Sequence, residues 1–195
     1  MRVTGLRERP GERVEVEADG RAWRTFPAAV VVRAGLLPGV ELDRERLRTV
    51  VRELRRAEAV DAAARIVRRR EVTERGLEAR LARRGIDARA RAEAVAAVTR
   101  AGVVDDERYA VRRAQALADR GRGDEAIRWQ LERDGVGEHA VERALARLEA
   151  EHTRAAKVVA SRGAGAKTAR YLAARGFSAE SVDAALGADG TAALG

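Results

Sequence analysis

The chain contains no cysteine, which excludes disulfide bonds and thiolate metal sites. Aromatic residues make up only 3% of its 195 residues. Alanine supplies much of the apolar content, so each buried position contributes little area, and we expect a thin, extended body. No long apolar run offers a membrane span or a secretory signal. We therefore expect a cytoplasmic protein without membrane contact.

Lysine is nearly absent as well, because Lys157 and Lys167 are the only lysines among 39 basic residues. The formal net charge of +8 fits a polyanionic partner, or a protein assembled on one. Residues 105–149 depart from this balance, with 9 basic and 11 acidic residues. A protein that only coats DNA would not need that acidic segment.

A short pattern occurs three times: a leucine, three residues, a glycine, and then an apolar residue. The three copies are Leu81 to Ile86 around Gly85, Leu131 to Val136 around Gly135, and Leu172 to Phe177 around Gly176. Ten residues after each glycine comes a branched aliphatic residue, namely Val95, Leu145 or Leu186. The similarity therefore extends over a whole helix-turn-helix unit and predicts a tandem helical repeat, an architecture that usually binds a partner.

The rest of the pattern predicts a mainly α protein. Residues 2–26 alternate like strands around Asp19-Gly20, which favours a tight β-hairpin, and Pro27 and Asp43 favour helix starts. Apolar spacing from residue 58 onward is helical. We predict an N-terminal β-hairpin and helix module at 1–57, three-helix repeats at 58–104, 105–149 and 150–187 in an elongated array, and a disordered tail at 188–195.

One segment carries a family resemblance. It runs from Arg100 to Ala110 and contains Asp105, Asp106 and Tyr109; Gly121-Arg-Gly123 and a helix ending at Gly135 follow. Together with the spaced leucine and glycine pairs, this segment resembles the bacterial RecX family over about residues 58–187.

The resemblance implies a non-catalytic modulator of RecA, the recombinase that polymerises on single-stranded DNA. Proteins of this kind are curved arrays of three-helix repeats that dock in the filament groove and restrain ATP hydrolysis and strand exchange. The expected role lies in recombination, DNA repair and the SOS response. We expect a monomer without cofactor that meets single-stranded DNA mainly through the filament and only weakly by itself.

Asp105 and Asp106 have the appearance of a catalytic carboxylate pair. They stand at a predicted helix start, where Asp105 would cap free amides and Asp106 would meet the positive end of the helix dipole. Tyr109, one turn later, is interpreted as a packing residue whose hydroxyl reaches a nearby polar group. We therefore expect a structural role for all three residues.

Two sets of arginines are candidate contacts to DNA or to the recombinase. The first set lies at the end of one predicted helix, and the second lies on and after the helix that begins near Asp105. They are Arg65, Arg68, Arg69 and Arg70, and then Arg112, Arg113, Arg120 and Arg122. Either set could be a solvated face, or its planar guanidinium groups could pair with phosphates or carboxylates.

Trp129 lies two residues from Ile127 and from Leu131, and so about 200° around the helix from either. It could be an exposed interface anchor, or it could pack against an adjacent repeat.

The sequence offers no catalytic, cofactor or metal site. His139 and His152 lack partners at ligand spacing. The glycine-containing segment from Gly163 to Thr168 lacks the spacing glycine and the preceding strand of a phosphate loop. No nucleophile can be matched with a base, so we expect a protein that is not an enzyme. The alternative function is an independent helical-repeat DNA-binding protein that acts through phosphate contacts.

Overall fold

A computed structural model describes residues 1–192, with side chains to Gly187. It is mainly helical with a small sheet at the N-terminus, as the sequence predicts. The strands are β1 Val3–Arg9, β2 Arg13–Ala18 and β3 Arg21–Pro27. The helices are α1 Ala28–Arg33, α2 Arg44–Val67, α3 Glu74–Ala82, α4 Ala88–Arg100, α5 Asp106–Ala118, α6 Asp124–Asp134, α7 Glu138–Leu145, α8 Glu151–Arg162, α9 Ala166–Ala174 and α10 Ala179–Ala192.

The sheet is an antiparallel meander in the order β1-β2-β3. The predicted hairpin is β2–β3, and its turn at Asp19-Gly20 has φ of 50° and 76°, the left-handed geometry that suits a two-residue hairpin. Strand β1 is a correction, because the prediction placed one hairpin in this region. A second turn at Gly11 and Glu12 joins β1 to β2.

The sheet packs on α1 and on the first half of α2. Trp23 and Phe26 are in contact within this core, with ring centroids 5.3 Å apart. The buried residues that share it are Val3, Val16, Ala18, Phe26, Val30, Val31, Ala34, Leu36, Leu42 and Val50. A three-stranded sheet of this size gains its stability from such a helical cover.

Helix α2 is one continuous helix of 24 residues. The Asp43 carboxylate accepts the Arg46 N–H at 2.7 Å and caps its start. The predicted boundary at residue 57 falls inside this helix, whose second half buries Ala59, Ala63 and Ile66. The N-terminal sheet and the first repeat therefore share a helix.

The chain divides into two compact units. The first contains residues Met1–Arg70 and Leu77–Val103, and the second contains Glu71–Gly76 and the residues from Val104 onward. The start of α3 thus belongs to the second unit and its end to the first. Among the described residues, no helix combines the length and the apolar composition needed to cross a bilayer.

The three glycine corners have one geometry. Gly85, Gly135 and Gly176 have φ of 75°, 91° and 81°, a left-handed conformation that glycine adopts without strain. At each corner the amide after the glycine donates to the carbonyl of the leucine five residues earlier. These bonds are Ile86 to Leu81 at 3.4 Å, Val136 to Leu131 at 3.0 Å and Phe177 to Leu172 at 3.2 Å. The repeated pattern is therefore a helix-ending Schellman motif.

A buried alanine occupies the same position in the helix that follows each corner. Ala94, Ala144 and Ala185 lie nine residues after the glycines and are 0%, 1% and 3% exposed. The branched residues one position later, Val95, Leu145 and Leu186, are only half-buried. The branched residues of the sequence pattern therefore lie at the edge of the helix interface, because successive residues point about 100° apart around a helix.

Helix α10 is described to Ala192, and alanine is the strongest helix former. The segment predicted as a disordered tail, 188–195, is therefore helical in its first part. The remainder of that prediction lies outside the described residues.

Candidate interaction surfaces

The aspartates at the start of α5 have structural contacts. Asp105 accepts the Arg108 N–H at 2.9 Å and caps α5, as predicted. Asp106 accepts the Glu74 N–H at 2.9 Å, which satisfies a free amide at the start of α3. Burial raises the pKa of the Asp106 carboxyl above its ordinary value. The two carboxylates therefore each hold a helix start.

Asp134, at the end of α6, is the centre of a polar cluster in the second unit. The Tyr109 hydroxyl donates to its carboxylate at 2.9 Å, and the Thr73 hydroxyl donates to its carbonyl at 2.6 Å. The Gln130 amide and the Arg113 guanidinium also contact the carboxylate, at 2.9 and 3.4 Å. The Tyr109 hydroxyl thus reaches a polar group on the neighbouring helix. Arg113, a candidate partner contact, instead lies half-buried in this internal cluster.

Glu151, the first residue of α8, repeats the arrangement of Asp106. Its carboxylate accepts the Asp124 N–H at 2.6 Å, at the start of α6, and the Ser178 hydroxyl at 2.6 Å. Burial alone would raise its pKa, but the bonds from Ser178 and from the Asp124 amide outweigh it and leave the pKa below its ordinary value. An acid at the start of one helix thus holds the start of another at two equivalent places.

The glycine corners contact the same helix starts. We call each place where an acid and a glycine corner hold the start of a helix a joint. The Gly123 N–H donates to the Arg175 carbonyl at 2.9 Å, and the Glu125 N–H donates to the Gly176 carbonyl at 3.1 Å. A Cβ placed at Gly176 would lie 2.6 Å from the Ala126 Cβ. A Cβ placed at Gly135 would likewise lie 2.8 Å from the Arg75 Cβ. The starts of α6 and α3 therefore pack directly on glycine corners.

Neutralisation of Glu151 and of Asp106, the acids of the two joints, should affect the stability of the fold differently. Glu151→Gln should cost about 1 to 2 kcal/mol at neutral pH, because one oxygen cannot accept all the donors that the carboxylate satisfies. Asp106→Asn should change the stability by less than about 0.5 kcal/mol, or raise it, because the amide oxygen still accepts the Glu74 N–H and a half-buried charge is removed. Urea denaturation of both variants measures the difference.

The pH dependence of the two variants should also differ in sign. The pKa of Glu151 is lowered in the folded chain, so its contribution is present above its unfolded pKa and is lost as the pH falls through the folded value. The cost of Glu151→Gln should therefore shrink in acid. The pKa of Asp106 is raised, so its ionisation costs stability as the pH rises, and any gain from Asp106→Asn should grow toward neutral pH. If the stability change caused by each substitution were the same in acid and at neutral pH, these roles would be contradicted.

A cluster of arginines surrounds a concavity of ≈ 260 Å³ in the first unit, floored by Ile66. We call it the α2–α3 arginine cluster. Its members are Arg65, Arg69, Arg70, Arg80, Arg83 and Arg84. Arg65 pairs with Asp61. Four side chains have no hydrogen-bond or ion-pair partner among the described residues: Arg69, Arg70, Arg83 and Arg84.

The sequence identified only half of this cluster. Arg65, Arg69 and Arg70 were candidates, whereas the members from the end of α3 were not. The available signal was Arg83-Arg84 directly before the Gly85 corner. A corner that ends α3 also fixes where its last side chains lie, so arginines there and at the end of α2 can converge. Arg68 is exposed beside the cluster.

The second set of candidate arginines is dispersed. Arg112 is exposed and pairs with Glu71 at 3.1 Å. Arg120 and Arg122 are exposed, and their carbonyls accept bonds from Arg175 and Arg154 at 3.0 and 2.8 Å. Arg120 and Arg122 therefore contribute main-chain groups to the joint with repeat three, and contact of these arginines with a partner stays a prediction.

Trp129 is 57% exposed on α6, with the Arg133 guanidinium 5.1 Å from its ring centroid. The Trp129 ring is therefore exposed, and its role as an interface anchor stays a prediction. In the part of the chain that the structure describes, His, Asp and Glu side chains do not gather in any group that could hold a metal ion.

A comparison of sequences identifies the family. The "Regulatory protein RecX" of Halorhodospira halophila is 34% identical over 143 residues, which cover 68% of this chain and 89% of that protein. The chain belongs to the RecX family. A crystal structure of regulatory protein RecX superposes with a TM-score of 0.82 at 17% identity, covering 93% of this chain and 97% of the other.

RecX from Lactobacillus salivarius superposes with a TM-score of 0.61 at 16% identity, covering 68% of this chain and 94% of the other. No protein-family model matches the chain. The solved RecX structures confirm the mainly helical fold that the resemblance implies.

Proposed function

We propose that this RecX-family chain acts by binding, without catalysis, and that its partner is the RecA filament on single-stranded DNA. In this proposal it restrains ATP hydrolysis and strand exchange, and so tunes recombination, DNA repair and the SOS response. The observation that carries the proposal is the α2–α3 arginine cluster, since family membership supplies the regulatory role and the cluster supplies a surface for it.

The chemistry of the cluster suits a filament of protein and nucleic acid. Six guanidinium groups face a concavity where Asp61 pairs with only one of them. Planar guanidinium groups bind carboxylates and phosphates with two parallel hydrogen bonds, and a RecA filament on DNA presents both. Trp129, with its exposed ring, offers an aromatic anchor on the second unit.

Binding alone is sufficient for the effect. A protein that binds one state of a filament more tightly than another shifts the population toward the bound state. If the favoured state is one that hydrolyses slowly, ATP turnover falls although the regulator performs no chemistry. We infer from this partner that the protein is cytoplasmic, and its monomeric state stays a prediction.

Removal of the cluster's unpaired charges should abolish much of the inhibition. The combined variant Arg69→Ala, Arg70→Ala, Arg83→Ala and Arg84→Ala should raise the concentration needed for half-inhibition of DNA-dependent recombinase ATPase by about 10- to 100-fold, if each lost contact is worth up to about 1 kcal/mol. The measurement is steady-state ATPase of the recombinase on single-stranded DNA.

The matched control removes four exposed arginines that lie outside the cluster. It is the variant Arg21→Ala, Arg33→Ala, Arg100→Ala and Arg170→Ala, which has the same net charge as the test variant. This control should inhibit as the unaltered chain does. Equal loss in both variants, or no inhibition by the unaltered chain, would overturn the proposal.

A further inference from the structure

A second line of arginines follows the first half of α2. Arg44, Arg48, Arg52 and Arg55 are all exposed. At 100° per residue they fall within an arc of about 80°, on one face of the helix. Neighbours four residues apart are separated by about 6 Å along the axis. We call this row the α2 arginine track; it shares no residue with the α2–α3 arginine cluster.

The charges of the track are available to a ligand. Arg44, Arg48 and Arg55 have no hydrogen-bond or ion-pair partner in the part of the chain that the structure describes. Arg52 reaches only its neighbour Glu53, at 3.3 Å. Arg56, which is largely buried, differs from them because Glu93 lies 3.2 Å away and Glu53 4.0 Å away. The inward arginine is thus paired inside the fold, while three of the four outward ones have no partner among the described residues.

The track forms one wall of an open groove of ≈ 520 Å³ between α2 and the start of α4. Its apolar lining is Leu47, Val51 and Ala90, and Val51 is 47% exposed. Two carboxylates also line it, and both are occupied. Asp87 accepts the Ala90 N–H at 3.0 Å, and Glu93 pairs with Arg56 and with Arg89. The groove is therefore strongly cationic, with a partly apolar floor.

We propose that the α2 arginine track is a direct binding site for the backbone of a single-stranded nucleic acid. Cations that recur every three or four residues along one helix face, about 4.5 to 6 Å apart along the axis, fit a polymer that carries one negative charge per repeat. Successive steps of the track are comparable with the distance between phosphates along one extended strand. The apolar floor suits sugars and base faces, and the cations of the track are assigned to the phosphates, so we expect binding with little dependence on sequence.

The site extends the proposed function because it needs no recombinase. The α2–α3 arginine cluster would hold the filament, while the track would hold the nucleic acid strand itself. Both lie on or beside one helix about 36 Å long. The two activities can therefore be separated by mutation.

The test is fluorescence anisotropy of a labelled oligothymidylate with the full-length chain and no recombinase. The variant Arg44→Ala, Arg48→Ala, Arg52→Ala and Arg55→Ala should weaken binding at low salt by at least about tenfold. The slope of log affinity against log salt should fall by about 3, given roughly 0.7 per phosphate contact on a single strand. Arg48→Glu alone should weaken binding severalfold, which guards against misfolding of the fourfold variant.

Two matched variants decide specificity. The control at Arg21, Arg33, Arg100 and Arg170 removes the same charge, and the cluster variant at Arg69, Arg70, Arg83 and Arg84 removes the proposed filament contact. Both should keep oligonucleotide affinity within about twofold of the unaltered chain. If either variant loses as much oligonucleotide affinity as the track variant, net charge explains the binding and the proposed site is wrong.

The remaining outcomes are also decisive. Unchanged affinity in the track variant, or tighter binding to a duplex or to polyglutamate than to the single strand, would overturn the inference. Failure of the unaltered chain to inhibit the recombinase while the track still governs oligonucleotide binding would overturn only the proposed function. The two hypotheses therefore fail separately.

Discussion

Gly123→Ala is expected to destabilise the second unit by about 2 to 3 kcal/mol, the upper range for overpacking a well-packed site. The backbone does not cause this cost, because Gly123 has φ of −79°, which alanine adopts freely. The cause is space. A Cβ at this position would lie 2.2 Å from both the Gly176 carbonyl oxygen and the Phe177 amide nitrogen. The start of α6 would have to move away from the corner, and its two main-chain hydrogen bonds would lengthen.

Gly137→Ala is the matched control. Gly137 stands at the same position relative to α7 as Gly123 does to α6, with φ of −71° and no side-chain cap. A Cβ there meets nothing within 4 Å. Its substitution should change the stability by less than about 0.5 kcal/mol. Urea denaturation, with amide hydrogen exchange of α6 and α9, compares the two. Equal costs would show that the joint does not depend on close approach.

Arg154→Ala is expected to cost about 2 to 3 kcal/mol at neutral pH, because a nearly buried cation is removed from three acceptors. The side chain is 10% exposed. It pairs with the Asp124 carboxylate, donates to the carbonyls of Arg122 and Glu149 at 2.8 and 2.9 Å, and lies 5.8 Å from the Phe177 ring centroid. Its loss leaves Asp124 beside Glu151, with the weaker influence of Arg128 left to favour the charged carboxylate.

The dependence on pH identifies the electrostatic part of this cost. Burial already raises the pKa of Asp124, and Arg154 is the main influence that lowers it. Without Arg154 the folded pKa rises further, so the variant loses more stability as the pH rises through the carboxyl's unfolded value. The cost should therefore be smaller in acid. Adding Asp124→Asn should restore part of the stability at neutral pH.

Arg147→Ala serves as the control for Arg154→Ala, since Arg147 is exposed and its side chain has no partner among the described residues. Its effect should stay below about 0.5 kcal/mol. A similar loss in both variants, or no change in the cost of Arg154→Ala between neutral pH and acid, would contradict the role assigned to Arg154.

Local rules made much of the fold predictable. The Gly135 corner, the Asp105 cap and the Asp19-Gly20 turn each depend on a few neighbouring residues, so the sequence contains their full signal. Trp129 was placed correctly outside the core because a helix has a fixed angular period. A separate first strand was not distinguished within the strand-like residues 2–26, because its end, Arg7 to Arg9, is charged and offers little apolar alternation.

The candidate surfaces were less predictable, because they combine residues that are distant in sequence. The proximity of Arg83 to Arg69 can be predicted only when the lengths of two helices and the turn between them are known. Arg113 looked like a partner contact, yet it meets Asp134 from a neighbouring helix. The equivalence of Asp106 and Glu151 is likewise invisible in the chain, since different acids fill the same place. Such relations are set by tertiary packing, for which a single sequence has no local signal.

The joints at the starts of α3 and α6 also determine which positions of the chain tolerate substitution. Part of the α6 joint is built from main-chain groups, which nearly every residue type supplies, because the Gly123 and Glu125 amides donate to the Arg175 and Gly176 carbonyls. The residues whose identity matters are few, namely the close-packed glycines, one acid at each joint and Arg154 at the α6 joint, so the outer helix surfaces can exchange residues while the stacking persists. Mutational tolerance of this kind gives a physical reason why a RecX structure with 17% identity retains the same architecture.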